Sequence, residues 1–90
     1  MARSMERSNP ALIVAFASTL REEHLRLGIT QEELAGRAEV SPRLISFLET
    51  GRRQPSLSAL AAISKGLGLP LSSLTSAIEK RLESGLVRAN

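Results

Sequence analysis

The chain has no cysteine, which removes disulfides and thiolate metal sites from consideration. Aromatic residues are nearly as scarce, two phenylalanines and no tryptophan or tyrosine. A core must therefore be built from Leu, Ile, Val and Ala, which favours helix packed on helix. Aspartate is missing altogether, so each of the nine acids is a glutamate. No apolar run approaches the ~20 residues of a membrane span. The opening MARSMERSNP lacks the hydrophobic segment of a secretory signal. A cytoplasmic protein without membrane contact is expected. The machinery of catalysis is absent too: there is no nucleophile–base–orienter set, no metal-ligand cluster and no phosphate-cradling glycine loop. Neither an enzyme nor a bound cofactor is expected, and the single histidine, His24, lacks catalytic partners.

What is present suits one small all-α domain. Ninety residues with 42% hydrophobic content can close one compact core. There are no repeats or low-complexity segments. Residues 1–8 read as a flexible arm carrying Arg3 and Arg7, residues 9–84 as the domain, and 85–90 as a tail. Asn9 and Pro10 cap and begin a first helix that runs to about Leu27. Leu12, Phe16, Leu20 and Leu27 supply its buried stripe, and Gly28 is a natural C-terminal cap.

The most informative stretch is Gln31 to Thr50, QEELAGRAEVSPRLISFLET. Thr30 can N-cap a second helix, with Glu33 completing a capping box. Leu34, Ala35 and Ala38 then share one side. Ser41 followed by Pro42 is another start signal, a hydroxyl cap and then proline at the first helical position. Only Glu39, Val40 and Ser41 remain to turn the chain, so the two helices must cross steeply. Two helices joined this tightly describe a helix-turn-helix.

At about 100° per residue, Ser41, Leu44, Ile45 and Leu48 gather on one side of the second helix of this pair. Arg43, Ser46, Phe47 and Thr50 gather on the other. The first set can bury; the second offers a guanidinium, hydroxyls and an aromatic ring. A DNA major groove accepts that mixture, since Arg pairs with guanine or phosphate and apolar groups meet thymine methyls. Phe47 lies nearly opposite Ile45 and is expected to face outward. Arg43, Arg52 and Arg53 cluster in or just after this helix, with Arg37 and Gln31 nearby, a local positive surface of the kind nucleic-acid binding uses.

These residues resemble the phage-repressor and Cro-like helix-turn-helix regulators. The resemblance runs from about Phe16 to Leu74 and is carried by TQEELA (Thr30–Ala35), VSPRLISFLETG (Val40–Gly51) and RRQPSLSAL (Arg52–Leu60). It implies a five-helix lambda-repressor-like domain that binds DNA, mostly as a dimer. By position it implies that Gln31 meets backbone phosphate and that Pro42, Arg43, Leu44 and Phe47 read bases. Arg52 and Arg53, in the loop after Gly51, match phosphate contacts. Three of the four base-reading positions are apolar here, which leaves hydrogen-bond readout mainly to Arg43. The position of His24 often holds an Arg paired with the Glu that matches Glu49, so a His24–Glu49 pair is implied. The position of Glu39 is usually glycine, which implies a left-handed turn residue.

Beyond the motif, Pro55 and Ser56 set up a fourth helix with Leu57, Leu60, Ile63 and Leu67 as its buried side. GLGLP (Gly66–Pro70) then breaks the chain before a last helix of about 71–84. Leu71, Leu74, Ile78 and Leu82 continue an apolar stripe at spacings of three and four. Ile78 and Leu82 are expected to project past the core, which makes Leu74, Ile78 and Leu82 the candidate face of a twofold homodimer. A helix folded back onto the first one is the alternative. The expected function is a dimeric regulator, a repressor, bound to a palindromic operator in double-stranded DNA through Gln31, Ser41, Pro42, Arg43, Leu44, Ser46, Phe47, Arg52 and Arg53. An antitoxin with a protein partner, or a protein-binding module without DNA affinity, is the competing reading.

Overall fold

A computed structural model of the chain describes residues 9–89, with side chains to Gly85. Five helices follow one another among the described residues: α1 (Pro10–Leu27), α2 (Gln31–Ala38), α3 (Pro42–Glu49), α4 (Leu57–Gly66) and α5 (Leu71–Ala89). Four of them start on a side chain that accepts a hydrogen bond from the first turn. Asn9 takes the amide of Leu12, Thr30 that of Glu33, Ser41 that of Leu44, and Ser56 that of Ala59. At Thr30 the Glu33 carboxylate answers with a 2.9 Å bond from the Thr30 amide, closing the capping box. Each cap satisfies a helix-end N–H that would otherwise lack a partner.

At the C-caps of α1 and α2 the backbone is left-handed. Gly28 ends α1 at φ 69°, and Glu39 ends α2 at φ 59°, ψ 43°. Glycine adopts this conformation freely; glutamate does so at a cost.

The core joins all five helices through Phe16 and Leu20 of α1, Leu34 and Ala38 of α2, Ile45 and Leu48 of α3, Ile63 of α4, and Leu74 and Ile78 of α5. Helix α2 packs on α3 and α4, and α1 packs on α3 and α5. At one crossing the backbones nearly touch. A Cβ on Gly66 would stand 3.0 Å from both the amide nitrogen and the Cβ of Ala38.

Several expectations are corrected here. Helix α5 continues through Ala89, so residues 85–89 are helix rather than tail. It folds back along α1, and Ile78 is only 5% exposed. The expectation that Ile78 had nothing in its own chain to cover it was wrong, because α1 supplies the cover. Leu12 was expected to be buried but is 37% exposed, in the first turn of α1 on the rim of a groove. Leu57 is 75% exposed, not buried: it is the first residue of α4, at the edge of the packed layer. Among the described residues no single helix is long and apolar enough to cross a membrane. The arm at 1–8 lies outside the described residues.

Candidate nucleic-acid interface

Helix α3 is fixed from one side. Ile45 and Leu48 are fully buried, while Pro42 and Arg43 are exposed and Ser46 and Phe47 are half-buried. The outward set expected from helical spacing is thus open, with Phe47 partly covered. Leu44 is half-buried and packs against the core, which limits how much of it a groove could meet. Ser41 is exposed rather than buried, and its oxygen accepts the Leu44 amide at 3.0 Å, so it serves first as a cap. The Thr50 hydroxyl is turned back onto its own helix, donating to the carbonyls of Ser46 at 2.9 Å and Phe47 at 3.3 Å.

The loop after α3 is tied to it. Gly51 turns at φ 74°, and the amide of Arg52 returns to the carbonyl of Phe47 at 2.9 Å. This bond holds the start of the Arg52–Arg53 pair at the end of α3. Farther along the loop, Gln54 accepts the amide of Asn9 at 3.0 Å, which links the loop to the start of α1.

Charge is distributed unevenly. From Val40 to Ile78 the chain holds Arg43, Arg52, Arg53 and Lys65 but only one acid, Glu49, and that acid is buried. None of these four bases forms an ion pair among the described residues. The cations that are paired lie elsewhere, Arg26 with Glu23 and Arg81 with Glu22. Arg37 on α2 is likewise exposed and unpaired. Unneutralised guanidinium groups around one exposed helix attract a polyanion and release its counterions.

Behind this surface lies a buried polar hub. One carboxylate oxygen of Glu49 meets Nδ1 of His24, so the implied His24–Glu49 pair is present. Its other oxygen accepts Nε2 of Gln31 at 2.9 Å, and its backbone carbonyl accepts the guanidinium of Arg21 at 2.9 Å. Glu49 and His24 are both buried, at 5% and 8% exposure. The hub ties α1, α2 and α3 together. Sequence reasoning missed the Gln31 and Arg21 bonds because they join residues 18 and 28 positions apart, beyond any local signal.

The three residues expected at a dimer face fare unequally. Leu74 is fully buried and Ile78 nearly so within the protomer, while Leu82 stays half-buried. Leu82 lines an open groove of about 430 Å³ together with Leu12, Phe16, Pro55, Leu60 and Ile78.

Comparison with known proteins places this arrangement. Residues 19–74 match the family model described as helix-turn-helix, HTH_3. An uncharacterized HTH-type transcriptional regulator of Methanothermobacter thermautotrophicus is 47% identical over 49 residues, covering 54% of this chain and 71% of that protein. The control protein C.MunI of a Mycoplasma species is 41% identical over 61 residues, covering 68% of this chain and 80% of that protein. Among solved structures, the restriction–modification controller protein C.Esp1396I, a tetramer in complex with its natural 35 base-pair operator, superposes with a TM-score of 0.75 at 25% identity. That superposition covers 79% of this chain and 93% of the controller.

Proposed function

The chain belongs to the HTH_3 family of helix-turn-helix transcriptional regulators, and we propose that it is a repressor that binds a palindromic operator as a homodimer through the recognition helix Ser41–Thr50. The observation that carries this reading is the pairing of opposites on α3. One face is locked by Ile45 and Leu48, and the other presents Arg43 exposed and without an ion-pair partner among the described residues. In this reading Arg43 reads a base edge, a bidentate pairing with guanine being the commonest specific contact of its kind. Pro42, Ser46, Phe47 and the exposed part of Leu44 supply apolar and hydroxyl contacts. Gln31, Ser41, Arg52 and Arg53 meet phosphates and set the register. The protein acts in the cytoplasm, on DNA, without a cofactor.

The homodimer is supported by the apolar groove rather than by Leu74 and Ile78, which the protomer itself uses. Leu12 and Leu82 line it half-open, Leu60 borders it, and Leu57 stands exposed one turn before Leu60 on α4. A second copy related by a twofold axis would cover the same residues on both partners. The groove also includes Pro55, in the loop that carries Arg52 and Arg53, so dimerisation there would fix the spacing of two DNA-reading units.

Similarity to two controller proteins, one of them crystallised on its operator, favours regulator over antitoxin. The test is selection of bound sequences from a random duplex pool. The expected product is a twofold-symmetric motif with half-sites about 10–10.5 bp apart centre to centre. An enriched motif without symmetry would remove the dimer. Retention of no duplex at low salt would leave a protein-interaction module.

A further inference from the structure

We propose that the buried Glu49 carboxylate positions the Gln31 amide for a DNA phosphate, with His24 as the residue that holds Glu49 in place. The inference rests on the reading above that Gln31 touches DNA.

Gln31 is the first residue of α2 and is half-exposed. A glutamine there would ordinarily sample many rotamers, and ordering it on binding would weaken the complex. Here its Nε2 is already anchored 2.9 Å from Oε1 of Glu49. A carboxylate can only accept, so it also sorts the two ends of the amide. The nitrogen end is held at Glu49, and one Nε2 hydrogen remains for an outside acceptor such as a phosphate oxygen. The anchor is itself fixed, because Nδ1 of His24 occupies the other carboxylate oxygen and the guanidinium of Arg21 occupies the Glu49 carbonyl. Both carboxylate oxygens and the backbone carbonyl of Glu49 are therefore engaged, two of the three by residues of α1. Glu49 and His24 are positioning residues in this scheme: neither is exposed enough to touch DNA.

A competing account would have the hub act only on α3, by aligning the recognition helix. A double-mutant cycle separates the two. His24→Leu combined with Glu49→Met replaces the polar pair by apolar groups of similar size, a kind of exchange that buried pairs often tolerate. Affinity is read by fluorescence anisotropy with a mixed-sequence duplex at low salt, since phosphate contacts carry no sequence information. The apolar pair is expected to weaken binding about three- to tenfold when Gln31 is present, the loss of roughly one hydrogen bond. In the Gln31→Ala background the same exchange is expected to cost less than about twofold. His24→Arg, which can still donate to Glu49, is expected to keep wild-type affinity. Equal losses in both backgrounds would assign the hub to α3 alignment and overturn the proposal, and no loss in either would overturn it as well. If circular dichroism shows that the apolar pair does not fold, the cycle is run with His24→Leu alone, which removes the donor to Glu49, and the same two outcomes decide. A wild-type protein that binds no duplex would fail at the step before, the DNA-binding reading itself. Normal wild-type binding without coupling would fail only here.

Discussion

Replacing Glu39 by glycine should make the domain more stable, and the reason is confined to one backbone angle. Glu39 is the one non-glycine residue with positive φ among those described, at 59°. The turn between α2 and α3 imposes it, since the amides of Glu39 and Val40 bond back to α2 at 3.3 Å and 3.0 Å. A left-handed conformation costs an L-residue roughly 1–2 kcal/mol, which glycine does not incur. Glycine also has more freedom to lose on folding, about 0.4–1 kcal/mol in the opposite direction. The side chain itself contributes little to hold it in place, because Glu39 is exposed and its carboxylate forms no ion pair among the described residues. Its negative charge at the C-terminal end of α2 opposes the helix dipole, so losing it adds a small gain. The net expectation is about 0.5–1 kcal/mol of added stability, or roughly 2–8 °C in melting temperature for a domain of this size. Urea denaturation of Glu39→Gly should show a higher midpoint with an unchanged slope. Glu39→Gln is the control: it removes the charge but keeps the strain, and should capture only a minor part of the gain. A lower midpoint for Glu39→Gly would refute the strain argument. The full gain appearing in Glu39→Gln would assign the effect to charge instead.

Gly66→Ala should destabilise the domain by about 1–3 kcal/mol, because the new methyl meets the Ala38 backbone at the α2–α4 crossing. A neutral result in thermal unfolding would mean that the two helices can separate cheaply. Gly36→Ala should stabilise α2 by about 1 kcal/mol, since a Cβ there enters open space in a helix interior; a loss measured in the same assay would reveal a neighbour outside the protomer. Leu82→Lys should yield a folded monomer in equilibrium sedimentation. Ile78→Lys, at a site only 5% exposed, should instead lose helix content as well. A Leu82→Lys dimer of unchanged affinity would place the interface elsewhere.

What was legible in the sequence is what local chemistry decides. Asn9, Thr30, Ser41 and Ser56 each cap the helix that follows because a side-chain oxygen can reach an amide only three residues on. Glu39, by contrast, became readable only through resemblance, as glutamate gives no intrinsic sign of a left-handed turn. Leu12, Leu57 and Ile78 were misplaced for one shared reason. Helical spacing tells which side of a helix is apolar but not how far along it a neighbour reaches. Leu12 and Leu57 lie in first turns beyond their neighbours, and Ile78 lies where α1 still runs alongside. On the candidate interface, exposure of Arg43 followed from spacing, whereas the hub that joins Gln31 to Glu49 depends on three helices meeting and has no local signature.

The separate tasks given to Arg43 and Arg52 are tested most directly by one titration. Arg43→Ala and Arg52→Ala are measured against the selected operator and a scrambled duplex at several salt concentrations. If Arg43 reads a base, its loss costs about 1–3 kcal/mol on the operator and little on the scrambled duplex. If Arg52 holds a phosphate, its loss weakens both duplexes alike and lowers the salt slope by about one per contact. Equal losses on both duplexes for Arg43→Ala would make Arg43 a phosphate clamp and contradict the assignment of sequence reading to the exposed face of α3.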